Sequence, residues 1–178
     1  MKKTVIVFGL ISGAVSSLMM VATVPFLNHA SYVLGYTSIV LSFLLVYFGI
    51  RSYRDNAAGG QITFAKAFAV GILITLISCV CYVVTWEILY FNFLHGFMDK
   101  YFAHMIEKVK ASGASPAAMQ DQLQKITTLQ QRYQNPLFNS LMTFIEPFPI
   151  GLAITLLSAA VLRKKEQQQP PQSPVPAS

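Results

Sequence analysis

The chain runs to 178 residues, 54% of them hydrophobic and 11% charged, with a formal net charge of +6. Soluble globular domains carry about 25% charged residues, so water is excluded as the main solvent. Its two cysteines, Cys79 and Cys81, sit two apart and point about 200° away from each other on a helix, which excludes a disulfide between them and a shared metal.

Four apolar runs are each long enough to carry an α-helix across about 30 Å of hydrocarbon, which takes roughly 20 residues. The first spans Val5 to Leu27. Met1-Lys2-Lys3-Thr4 followed by VIVFGLI resembles a secretory signal, but the run continues well past the roughly 7 to 15 residues of a signal core. It is expected to stay as an anchoring span. From Val5 to Met20 only serine, glycine and apolar residues occur around the whole cylinder, unlike the one-sided stripe of a soluble helix. Asn28-His29-Ala30-Ser31 connects it to a second span, Tyr32 to Ile50.

The connection that follows, SYRDNAAGGQITFAKAF, is polar and basic. Gly59 and Gly60 supply the backbone freedom for a reversal, and Thr63 suits the N-cap of the next helix. Lys66 can lay its methylenes on the apolar surface and leave its ammonium among lipid head groups. Arg51, Arg54 and Lys66 are candidate contacts for an anion or a lipid head group; their spacing is not that of a phosphate-binding loop.

The third span, Phe68 to Leu94, carries Glu87 beside Trp86 at a depth that falls in the outer leaflet. Residues 95–136 turn polar and read as two helices. Phe97, Tyr101, Met105 and Lys108, with Phe102, Ile106 and Val109, form one stripe, continuing the third span; Met119, Leu123, Ile126 and Tyr133 form another. Ser112 to Pro116 separates them, with Gly113 fit for a left-handed cap, Ser115 for an N-cap and Pro116 for the first helical position. The stripes are expected to face each other, and the mild positive charge lacks the dense basic face of a nucleic-acid binder.

Asn135-Pro136 repeats the cap-plus-proline start and launches the fourth span, Leu137 to Leu162. Within it Glu146 precedes Pro147 and Pro149, which cannot donate to the carbonyls of Thr143 and Ile145. An ionisable side chain inside a span costs about 2.5 to 3.5 kcal/mol on insertion scales and tends to mark function. Glu87 and Glu146 both fall in the outer half, where they can meet, and with Tyr82, Tyr90 and Thr143 they form a candidate intramembrane polar site. The reading opposed to it puts Glu87 in the head-group belt and makes Glu146 a protonated cap of the kink. After Arg163-Lys164-Lys165 the Gln/Pro-rich tail 166–178 has nothing to bury and is expected to be disordered.

Lys2, Lys3, Arg51, Arg54, Lys66, Arg163, Lys164 and Lys165 all fall on one side of a four-span chain, and that side should be the cytoplasm. Small residues recur four apart in three spans: Gly9, Gly13 and Ser17; Gly71, Thr75 and Cys79; Gly151, Thr155 and Ala159. Such rows let helix backbones approach closely.

GIRSYRDNAAGGQITFAKAFAVGILITLISCVCYVVTWEILYF and NPLFNSLMTFIEPFPIGLAITLLSAAVLRKK together resemble the bacterial membrane-protein family catalogued as domain of unknown function 4199. The resemblance covers nearly everything except the tail. It implies a small four-span bacterial membrane protein and carries no mechanism.

The expected fold is therefore all-α: an integral membrane four-helix bundle over 1–165, with an extracytoplasmic helical hairpin at 95–136 between spans three and four. Both termini are expected in the cytoplasm of a bacterium, the spans in its inner membrane. The first functional expectation is a noncatalytic protein acting by association of its helices or hairpin, with lipids, a second copy or an extracytoplasmic protein as partners and no nucleic acid. The alternative is a small transporter or ion-responsive channel subunit using the glutamates. A membrane enzyme comes third, because no nucleophile elbow, His-Glu-x-x-His or paired histidines occur and His29, His95 and His104 are scattered. No catalytic, cofactor or metal residue is assigned.

Overall fold

A computed structural model describes residues 1–23, 32–94 and 96–164. The expected disordered tail, Lys165, His29 and His95 lie outside the described residues, as do the first connection and the side chain of Phe97. Seven helices occur among the described residues: α1 (Lys2–Thr23), α2 (Tyr32–Ala57), α3 (Phe64–Asn92), α4 (Phe97–Lys110), α5 (Pro116–Tyr133), α6 (Pro136–Ile145) and α7 (Phe148–Leu162). The fold is all-α. Four helical stretches are long and apolar enough to cross a membrane: α1, α2 from Tyr36, α3, and α6 with α7 taken as one stretch, Pro136–Leu162.

α3 is the hub, packing against α1, α2, α6 and α7, while α2 also lies against α1 and α7. Val46, Ile50, Val70 and Ile74 are fully buried where these helices meet, with Phe43, Ile62, Ala67 and Leu162 around them. The outer faces carry exposed Leu18, Val80, Leu157 and Val161, the surface hydrocarbon would cover. The small-residue rows are used inside the bundle. A Cβ on Gly9 would stand 2.8 Å from that of Ile77, one on Gly13 2.6 Å from that of Cys81, and one on Gly151 2.5 Å from Thr75 Cγ2. Close approach also lets serines reach neighbouring backbones: Ser12 Oγ donates to the Ser42 carbonyl (2.9 Å) and Ser78 Oγ to that of Gly9 (3.2 Å).

Local chemistry sets the element ends. Ser115 and Asn135 cap α5 and α6 ahead of prolines at the first helical position, and Thr63 caps α3. Two boundaries differ from the sequence reading. α2 runs through Arg51 and Arg54 to Ala57, so the arginines lie on its last turns and not in the connection, which is only 58–63. α4 does not continue α3: the chain breaks between Asn92 and Phe97, with Gly96 at φ 75°, a left-handed backbone that no continuing helix adopts. The fourth span breaks where the sequence reading put its kink, into two helices, because Pro147 and Pro149 remove two donors from its ladder. α4 and α5 form a helical hairpin closed by buried Phe102 and Ile126, and α5 in turn lies against α6.

Candidate functional site

α3 and the α6–α7 stretch run antiparallel, and the polar groups pair across them in register. Nearest the hairpin, Ser140 Oγ donates to Glu87 Oε1 (2.9 Å) and Trp86 Nε1 donates to Asn139 Oδ1 (2.8 Å). One turn deeper, Thr143 Oγ1 donates to the same Asn139 oxygen (3.4 Å). Tyr82 then faces the Glu146 carboxylate, and deeper still Thr75 Oγ1 lies 3.0 Å from Thr155 Oγ1 and donates to the Gly151 carbonyl (3.5 Å).

Asn139 is 0% exposed. Its oxygen takes two donors, which fixes the orientation of the amide, and its Nδ2 has no partner among the described residues. The carboxylates do not meet. Glu87 accepts from Ser140 while Glu146 faces Tyr82, and their rungs on the fourth span, Ser140 and Glu146, are six residues apart, or about 9 Å of helical rise. Neither has a cationic partner; the ion pairs among the described residues are Arg51 and Arg54 with Asp55, and Lys125 with Asp121.

Of the expected site residues, Tyr82, Glu87, Thr143 and Glu146 lie on this seam, and Tyr90 joins it through its ring, 6.0 Å from that of Trp86. Tyr133 links the seam to the hairpin, its ring 5.7 Å from Phe138 and 5.9 Å from Phe102. Burial, and then the charge of Glu146, push the Tyr133 phenol up from its ordinary value. Asn139 and Ser140 were not anticipated. Their signal was present: Asn139, Thr143 and Glu146 fall at i, i+4 and i+7, one polar stripe on an otherwise apolar helix.

The basic group at the opposite end is arranged differently. Arg51 Nε lies 3.6 Å from Asp55 Oδ2 and Arg54 Nε 2.7 Å from Asp55 Oδ1, so both arginines share one carboxylate. Gly59 and Gly60 take φ of 64° and 81° and make the reversal, where the Gly60 amide bonds the Arg54 carbonyl (2.9 Å). Lys66 is exposed in the first turn of α3. The Lys164 amide donates to the Ile62 carbonyl (2.9 Å), fastening the end of α7 to this turn. Among the described residues no three histidine, cysteine, aspartate or glutamate side chains gather as metal ligands would.

The model of the family described as "Protein of unknown function (DUF4199)" matches residues 7–164. The chain belongs to this family. Every rung of the seam in this DUF4199 chain lies within the matched stretch, as do the hairpin and the Lys164 clasp. No curated protein and no solved structure matches it.

Proposed function

We propose that this DUF4199 chain is a noncatalytic, multi-pass protein of the bacterial inner membrane, and that the polar seam between α3 and α6 is its ion-responsive working site. One observation carries the reading: two carboxylates within membrane-spanning stretches, each facing a hydroxyl and neither paired with a cation among the described residues, flank a fully buried asparagine. Uncompensated acids are expensive at such depth, and their unfilled demand is for positive charge. Orientation follows from Lys2, Lys3, Arg51, Arg54, Lys66, Arg163 and Lys164, which cluster at one end of the bundle. That end is cytoplasmic and holds both termini, so the hairpin and the seam's mouth face out. Arg51 and Lys66 there contact anionic head groups.

Association through the hairpin or the small-residue rows is the weaker reading, since Phe102, Ile126, Gly9, Gly13 and Gly151 are all engaged within the fold.

Trp86 is the sole tryptophan and a member of the site, so its emission reports on the seam directly. In purified protein the emission is expected to titrate with pH or monovalent cation, and Glu87→Gln or Glu146→Gln to remove the titration while helicity persists. An emission indifferent to both would defeat the proposal.

A further inference from the structure

The seam has two unlike ends. Toward the hairpin it begins with Glu87, Ser140, Trp86 and Asn139, and Glu146 remains exposed on the flank of the bundle. Its hydrogen-bonded side chains run inward as far as the Thr75–Thr155 pair. Beyond that pair the helices close on Val46, Ile50, Val70 and Ile74, fully buried, with Ile62, Ala67 and Leu162 at most 5% exposed. Ser158 is the one buried hydroxyl of α7 past Thr155. A proton moving inward thus meets a mostly apolar stretch whose buried hydroxyls, those of Ser158 and of Tyr53 on α2, have no hydrogen bond to the Thr75–Thr155 pair among the described residues.

Among the described residues, the titratable groups placed near the carboxylates are few and none is a cation. α3 presents Tyr82 to Glu146, with Tyr36 of α2 and Cys79 near that phenol, and Tyr90 close to both Glu87 and Asp99 of α4. α5 presents Tyr133 to Glu146, and α7 has no ionisable residue from Phe148 to Leu162. With no fixed cation beside them among the described residues, the counter-charge that each carboxylate can take up is a proton.

We propose that the seam takes up protons from the hairpin side alone and passes none across, so that the protein responds to external acidity without conducting. The inference rests on the seam being the working site. In the step itself a proton from the outer water joins a carboxylate oxygen of Glu146, its negative charge is lost, and Tyr82 keeps its own hydroxyl proton. The carboxylate accepts; the carboxylic acid also donates. Acceptors lie in the same stretch, because Pro147 and Pro149 leave the carbonyls of Thr143 and Ile145 without their helical donors. Protonation therefore adds a donor that can bond within the kink while an oxygen still faces Tyr82, and that new bond changes the angle between α6 and α7. α6 is the bundle element against which the hairpin packs, through α5 and the Tyr133–Phe138 contact, so the hairpin moves with it.

The full chain in liposomes, sorted by whether a C-terminal tag is enclosed or outside, tests this with Trp86 emission and an enclosed pH dye. In vesicles with the tag enclosed, acidifying the outside from neutral to about pH 5 should change the emission, and acidifying only the lumen should not; tag-out vesicles should show the reverse. Glu146→Gln, which keeps an acceptor for Tyr82, should cut the response about tenfold or more, and lumenal pH should follow that of protein-free vesicles. A response of equal size from both sides, or a proton leak that Glu146→Gln abolishes, overturns the one-sided site and leaves a conducting seam. Silence from both sides overturns the seam as a working site as well.

Discussion

Asn139 sits in apolar surroundings with one oxygen serving two donors and an amide nitrogen serving none among the described residues. Removing Asn139 would strand both donors, at about 1–3 kcal/mol for each buried polar group left unpaired. Trp86→Phe leaves the oxygen with the Thr143 donor alone, so it should destabilise the protein by about 1 kcal/mol, the worth of one hydrogen bond, in denaturant titrations in mixed micelles. Adding Asn139→Leu should cost less than the sum of the two single changes, because both partners are then gone. The glycines make the opposite kind of demand. Gly151→Ala would put a methyl 2.5 Å from Thr75 Cγ2 and 2.9 Å from Phe43 Cε1, and overpacking of that sort costs about 1–3 kcal/mol; the same titration measures it. Glu87 and Glu146 were legible from sequence because an acid in an apolar run has no other explanation. Their separate partners were not, since register between two helices is a property of packing and does not appear in either helix alone.

Among the elements, the hairpin and the broken fourth span matter most. Caps at Thr63, Ser115 and Asn135, and the turn glycines Gly59, Gly60 and Gly113, follow from residue chemistry that acts over three or four positions, and so could be read in advance. The interruption at Gly96 could not, because glycines occur within α1 and α3 as well, and only tertiary context decides which one takes a left-handed backbone. Tyr133 gives the hairpin a pH dependence. Its phenol is raised in the folded protein, so the stability it contributes is complete below its ordinary value of 10.0 and is lost as pH climbs through the folded value. Helix content should fall on that alkaline limb as tyrosinate absorbance appears, and Tyr133→Phe should flatten the dependence. At the kink, Pro147→Ala returns a donor to the Thr143 carbonyl. Its expected outcome is a Trp86 response to acid that survives while a spin or fluorescent label on α5 no longer moves.

For the molecule as a whole, the all-α bundle with four membrane-crossing stretches was plain from composition and run length, the coarsest signals a sequence carries. Which helix lies at the centre was not, because α1 and α3 are apolar all round and their sequences do not say which faces meet. Threading sets where everything else acts: a protease added outside intact cells should leave a tag fused after Ser178 untouched and should cut one inserted at Ser112 to Ser115. The central place of α3 also has a consequence for synthesis. Its seam face, with Tyr82, Trp86 and Glu87, is met by a stretch that begins only at Pro136. Until the ribosome has delivered that stretch, the Trp86 indole N–H and the Glu87 carboxylate lack the Asn139 and Ser140 partners they have in the folded chain. A nascent chain stalled before residue 136 should linger at the insertion machinery and be degraded, whereas one carried on past Lys164 is released.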